Sequence, residues 1–304
     1  MTDSIEILKK RIENNPDDCE AVENYAIALS DCGKNEEALK NFIFLKNKFP
    51  DNAKIYYNIG IILEKLKKNK GAVSAYEHAC RLEPDNTDFM FNLAVMFIKD
   101  KRYDEAEKLL LKVIETDTED ENAYFHLGEI YTRKKDHENA VKYLSKAVEL
   151  DNKDSAAKFY LAHQYKELGK IDEAVNFYNE VTEQSPEYSW AYFNLASIYL
   201  EQGNENKAVE CLYKTIETNP GDLKAVKMLI KLLCRQKKFK QAEQFILGHI
   251  ENMPDEADLY YLAAGIYKYL GNSRKYKEYL LLVKDRIITF SGSKAVLEKE
   301  IENS

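Results

Sequence analysis

The chain has 304 residues, 45% of them hydrophobic and 32% charged, and its 44 Lys and Arg against 52 Asp and Glu leave a net charge of −8. That balance argues against a general nucleic-acid binder, which needs a basic excess to neutralise phosphates, and no apolar run reaches the roughly 18 residues of a membrane-spanning helix. Only 11 Gly and 6 Pro punctuate the sequence, too few for a fold of many short strands, so a mostly helical protein without a membrane or nucleic-acid partner is expected. The acidic start "MTDSIEILKK" lacks the basic and apolar regions of a signal peptide, which predicts a cytoplasmic location. Cys19, Cys32, Cys80, Cys211 and Cys234 form an odd set without a C-x-x-C pair and predict reduced thiols rather than a disulfide framework or a zinc site.

In chain order, Ile5, Leu8 and Ile12 predict a first helix over residues 3–14, within a capping half-unit at 1–18. Prolines then stand at 16, 50, 84, 186, 220 and 254, every interval being 34 residues or a multiple of it, with Thr118 and Asn152 filling the two gaps. This register defines eight units, 19–52, 53–86, 87–120, 121–154, 155–188, 189–222, 223–256 and 257–290, followed by 291–304. Within each unit, positions 4, 7, 8 and 11 form one apolar stripe, as in Tyr56, Ile59, Gly60 and Leu63. Positions 20, 24, 27 and 28 form a second, as in Ala140, Leu144, Ala147 and Val148, so every unit reads as a helical hairpin. Small residues pair where the two helices would cross: Ala26 with Ala38, Gly60 with Ala72, Ala94 with Ala106, Gly128 with Ala140, Ala162 with Ala174, and Ala196 with Ala208. Position 15 is Gly33, Gly169, Gly203 and Gly271 in four units, as a left-handed helix end requires, and Lys67, Lys101, Lys135 or Lys237 elsewhere. The last two units break the pattern with Ile230 at position 8 and Tyr276 at position 20, which predicts two splayed hairpins. In the tail, Val296, Leu297 and Ile301 predict one apolar edge of a short solvating helix.

These residues resemble the tetratricopeptide repeat family over residues 19–290, by the aromatic or aliphatic residue at 4, Leu-Gly/Ala at 7 and 8, Tyr/Leu/Phe at 11, Ala at 20 and Pro at 32. The resemblance implies an all-α fold, a right-handed superhelical α-solenoid of eight 34-residue hairpins with terminal capping helices. It also implies a non-enzymatic protein-interaction module whose first helices line a concave groove through positions 2, 5, 6, 9, 12 and 13. One hairpin cannot bury its apolar face alone, so stacking follows from physics as well.

Position 6 carries Asn24, Asn58, Asn92, His126 and Asn194, with Tyr160, Met228 and Leu262 in the remaining units. Asparagine costs a helix roughly 0.6 kcal/mol relative to alanine. Its amide offers an acceptor and two donors, enough to hold the backbone of an extended peptide, although a bond to a neighbouring helix or to water accounts for it equally. Position 5 supplies Tyr57, Phe91, Phe125, Phe159 and Phe193, an aromatic stripe suited to packing and, where exposed, to gripping side chains. Lys65, Lys99 and Arg133 at position 13 form a basic column that favours an acidic segment, and Trp190 at position 2 of the sixth unit is a candidate interface anchor. The alternative to peptide binding is a structural scaffold that self-associates, its groove only solvated. His126, His163 and Glu129 are too loosely spaced for a metal, and no phosphate loop or nucleophile motif is present, so no catalytic residue and no cofactor is expected.

Overall fold

The computed structural model describes residues 2–304, and its side chains from residue 5 onward. Eighteen helices and no strand are found among the described residues, and the fold is an all-α solenoid. Two compact units divide it, one ending at Gly169 and the other beginning at Lys170, so the division falls between the two helices of the 155–188 repeat.

The first unit holds α1 (Thr2–Asn14), α2 (Cys19–Asp31), α3 (Asn35–Lys48), α4 (Ala53–Lys65), α5 (Asn69–Leu82), α6 (Thr87–Lys99), α7 (Tyr103–Thr116), α8 (Glu121–Lys134), α9 (His137–Leu150) and α10 (Ser155–Glu167). Each of these helices packs on the next in the chain. The second unit holds α11 (Ile171–Gln184), α12 (Ser189–Glu201), α13 (Glu205–Thr218), α14 (Leu223–Arg235), α15 (Phe239–Asn252), α16 (Ala257–Tyr269), α17 (Ser273–Asp285) and α18 (Lys294–Glu302), again in contact with chain neighbours throughout.

Local chemistry marks the helix ends. Two residues after the proline, Asp18, Asn52, Asn86 and Asp222 accept a hydrogen bond from a backbone N–H in the first turn of α2, α4, α6 and α14. Asp120 and Asp154 do the same where the proline is missing. At the other end of the first helix, the residue at position 15 of the sequence register has positive φ: Gly33, Gly169, Gly203 and Gly271 at 68° to 77°, and Lys67, Lys101, Lys135 and Lys237 at 58° to 61°. In the fourth of these turns α8 runs on to Lys134 and the left-handed residue follows directly.

The crossing positions are closed. Ala26, Ala38, Ala94, Ala106, Ala196 and Ala208 are fully buried, and a Cβ at Gly60 would collide with the Tyr76 ring, as one at Gly128 would with Leu144. The expected splaying is seen in one hairpin of the two. With Ile230 in place of the small residue, α14 and α15 pack less closely than the hairpins on either side, α12 with α13 and α16 with α17, and the last of these packs about as closely as α4 with α5. Ala264 keeps the crossing narrow there, and Tyr276 stays only half-buried, its hydroxyl accepting from Lys268 Nζ at 3.3 Å.

At the N-terminal end Arg11 Nε lies 2.5 Å from Asp18, tying α1 to the cap of α2. The C-terminal segment is more elaborate than a solvating helix. Glu256 provides no side-chain cap for α16, and Thr289 replaces it, its Oγ1 accepting from the Ala257 N–H at 2.9 Å. Arg286 donates to the Pro254 carbonyl at 2.6 Å and lies over the Tyr260 ring at 4.2 Å. Buried Asp258 accepts from the Ser291 amide at 2.9 Å, the Ser291 hydroxyl at 2.6 Å and Lys227 Nζ at 2.6 Å. Of the expected apolar edge of α18, Leu297 is buried and Ile301 half-buried, but Val296 is 52% exposed. Neighbours in a helix point about 100° apart, so 296 and 297 cannot share a narrow contact.

Two outcomes follow from these ends. Lys101→Gly should raise the urea midpoint, by a stability of about 0.5–1 kcal/mol, because glycine relieves the left-handed strain and returns part of that gain to the unfolded chain. Gly203→Ala should lower it by about 1 kcal/mol, a loss due to the backbone, since an added Cβ there meets nothing within 4 Å. The Asp258 carboxyl opposes ionisation through burial, yet the donors Lys227 and Ser291 outweigh that and hold it below the usual carboxylate range. Its contribution is therefore present at neutral pH and lost as pH falls through the depressed value. The Ser291 amide resonance should titrate below the ordinary ~3.9 of aspartate, and Asp258→Asn should remove that titration; a midpoint at or above it would show that the clasp is not ionic.

Candidate peptide-binding site

The repeated register places position 6 of the first helices on α2, α4, α6, α8 and α12, and the structure gives its members different surroundings. Asn24 is exposed. Asn92 uses its amide nitrogen twice, donating to Tyr57 Oη at 3.0 Å across to the preceding repeat and to the Asp88 carbonyl at 2.9 Å one turn back. Asn194 donates likewise to the Trp190 carbonyl at 2.8 Å. Asn58 differs: its Nδ2 is buried with no hydrogen-bond partner. His126 sets Nδ1 3.2 Å from Glu129, whose carboxyl is held below the ordinary range first by that bond, against burial, and then by Arg133. The two-point grip on a peptide bond is thus reduced at Asn92 to its Oδ1, because both amide protons are spoken for inside the protein.

The aromatic stripe is half-buried along its length. Tyr57 lies 4.7 Å from Phe89, Phe91 lies 5.6 Å from His126, and Phe125 meets Tyr160 edge-on at 5.6 Å. Phe159 meets Tyr160 at 6.0 Å, and Phe193 meets Trp190 at 6.4 Å. Burial pushes the Tyr57 phenol upward, so it stays protonated beside Asn92. The first three contacts cross between helices, whereas Phe159 and Phe193 meet rings of their own helices, α10 and α12. Trp190, on the first turn of α12, is 55% exposed.

The basic column is internally paired. Lys65 Nζ donates to Ser30 Oγ at 2.9 Å, Lys99 pairs with Glu64, and Arg133 lies 3.6 Å from Glu129. Glu64 and Glu129 offset two of its three charges locally, so its pull on an acidic ligand is weaker than the bare sequence implies. Among the described residues, no group of three or more His, Cys, Asp or Glu is placed to hold a metal, and no helix is long and apolar enough to cross a membrane.

A second surface escaped the sequence reading. In the second unit a cavity of about 730 Å³ is lined by Leu200 of α12, Met228, Lys231 and Arg235 of α14, and Leu262, Gly265 and Tyr269 of α16. These occupy positions 6, 9, 12 and 13 of successive repeats, the same stripe that bears the asparagines elsewhere. The signal was available in residues 223–242, which carry seven Lys and Arg and no Asp or Glu within an acidic protein.

Family models match along the chain: the N-terminal TPR repeats region of Psidin over residues 4–126, the C-terminal ARM domain of tetratricopeptide repeat protein 21 over 88–191, and a domain of unknown function over 157–253. The crystal structure of YrrB, described as a TPR protein with an unusual peptide-binding site, is similar with TM-score 0.55 and 25% identity, covering 62% of this chain and 96% of YrrB. The chain is a tetratricopeptide repeat protein. Two further structures share the fold of this tetratricopeptide repeat protein. One is a repeat protein from Parabacteroides merdae, with TM-score 0.58, 16% identity and coverage of 93% and 97% of the two chains. The other is the APC/C hetero-tetramer Cut9–Hcn1, with TM-score 0.59, 19% identity and coverage of 76% and 46%. No curated protein matches the sequence.

The asparagines make a stability test with opposite signs. Asn58→Ala removes a buried, unpaired donor and improves helix propensity, so the melting temperature should rise. Asn92→Ala deletes the link to Tyr57 and should cost a net ~0.5–1 kcal/mol. Equal effects in thermal melts would show that the two amides share one environment.

Proposed function

We propose that this tetratricopeptide repeat protein is a non-catalytic interaction module that holds an extended segment of a partner protein along the asparagine-bearing helices. The observation that carries the reading is Asn92, whose amide is fixed by Tyr57 and the Asp88 carbonyl with Oδ1 left to accept a peptide N–H. Tyr57, Phe91 and Phe125 flank this row with half-exposed ring edges that a ligand's side chains would cover. The likeness to YrrB supports the same use, since that protein is described by its peptide-binding site. Within the first unit Asn24, Asn58 and His126 continue the row, Phe159 adds aromatic surface, and Lys65, Lys99 and Arg133 give acidic segments a secondary advantage; in the second unit Asn194, Phe193 and Trp190 offer the same kinds of group on α12. Acid preference is modest because Glu64 and Glu129 compete for the cations. The rival reading, a self-associating scaffold, draws on exposed Trp190 and predicts a dimer in light scattering that Trp190→Ala dissolves.

The test uses nine-residue peptides selected from a random library on the immobilised chain. If Oδ1 of Asn92 receives a backbone N–H, N-methylation at single peptide bonds should weaken binding about 2- to 13-fold at particular registers. Asn92→Ala should reproduce the loss for peptides of unrelated sequence. Indifference of every peptide to both changes would falsify the backbone-holding role.

A further inference from the structure

The cavity of the second unit reverses the chemistry of the asparagine row. Position 6 is Met228 on α14 and Leu262 on α16, and position 9 of α16 is Gly265, so this stretch of the stripe bears no side-chain amide. An extended peptide pressed against it would bury backbone N–H and C=O groups without partners, at a cost that opposes binding. A helix satisfies those groups within itself and offers only side chains. The wall therefore selects a helical ligand over an extended one.

Charge selects further. Lys224, Lys227, Lys231 and Arg235 recur at three- and four-residue spacing and form one stripe along α14 beside the cavity. Lys227 is held by Asp258 and Arg235 by Glu205 at 2.8 Å, while Lys224 and Lys231 stand exposed. We propose that this cavity receives the apolar face of an acidic amphipathic helix from a partner protein. The proposal does not rest on the asparagine reading, so either fails without the other.

Dimensions agree. Residues i and i+7 of a helix lie about 10 Å apart on one face, close to the roughly 8–10 Å between packed neighbouring helices. Two apolar side chains of the ligand then reach Met228 and Leu262, and acidic residues on its flank meet Lys224 and Lys231. The chain contains its own precedent in α18, a nine-residue helix with Leu297 buried and Glu300 accepting from the Tyr261 hydroxyl at 2.9 Å and Lys268 at 3.4 Å. An acidic amphipathic helix thus already rests beside α16, and Tyr261 lines the cavity as well.

Gly265 supplies the means of testing. A Cβ built there meets nothing within 4 Å, so Gly265→Leu fills the cavity without displacing the core and replaces glycine by a better helix former. The probe is a fluorescein-labelled amphipathic peptide of about 18 residues, five helical turns, with leucines on one face and glutamates on its flanks, titrated against the full chain by fluorescence anisotropy. Saturable binding is expected, weakened roughly tenfold or more by Gly265→Leu, with melting temperature and light-scattering mass preserved. Should Gly265→Leu melt lower, the exposed double change Lys224→Glu with Lys231→Glu carries the test, and should transfer preference to a lysine-flanked version of the probe. Equal affinity for a probe interrupted by two prolines would overturn the helical ligand, and equal affinity of the unaltered chain for the lysine-flanked probe would overturn the charge match. Failure of the probe to bind, or indifference to both variants, would overturn the site. So would a dimer that Gly265→Leu renders monomeric, or phosphatidylserine vesicles binding in the probe's place, which would assign the cavity to a second copy or to lipid.

Discussion

The architecture depends on the close approach of two helices at one crossing per repeat. Gly60 and Gly128 leave no room for a methyl group against Tyr76 and Leu144, and the alanines at equivalent places have no exposed surface. A crossing this tight demands that both helices start and stop in strict register, or the small residues would not meet. Carboxylate or amide caps define where α2, α4, α6, α8, α10 and α14 begin, and the left-handed residue at position 15 defines where the first helix ends. The backbone conformation is required strongly enough that four lysines adopt it.

Relaxing the contact has a local result. Ile230 replaces the small residue in one hairpin, and there α14 and α15 pack less closely than the hairpins on either side. Ile230 also lines the apolar cavity of the same helix. A packing irregularity and the cavity proposed for a helical ligand therefore coincide, as expected where a repeat departs from the consensus that serves only stacking.

Much of this was legible in the chain because it is written in periodicity. Helix order, the positive-φ positions and the buried alanines all follow from a 34-residue repeat of apolar, small and turn residues, each with a local physical reason. Tertiary particulars were not. Nothing local to Asn58 and Asn92 distinguishes them, yet one amide is buried without a partner and the other bridges to Tyr57, because their neighbours come from adjacent repeats. The basic column reads as unopposed until Glu64 and Glu129 are seen beside it. Tyr276 in place of alanine predicts a splayed hairpin, but its side chain turns to Lys268, an orientation that spacing does not encode. The cap of α16 came from Thr289, more than thirty residues downstream, where no sequence rule would look.

That borrowed cap changes how the C-terminal end would yield to force. A linear stack of hairpins is held by nearest neighbours and peels one helix at a time when its end is drawn away. Here Thr289 and Ser291 grip the start of α16 while Arg286 grips Pro254 just ahead of it, so the chain from α16 to residue 291 is closed into a loop. Tension on Ser304 would strip α18 and then meet this closure in shear across several hydrogen bonds at once. Beyond that point the hairpin of α16 and α17 would come away as a block, giving this part of the stack a mechanical threshold in place of gradual fraying.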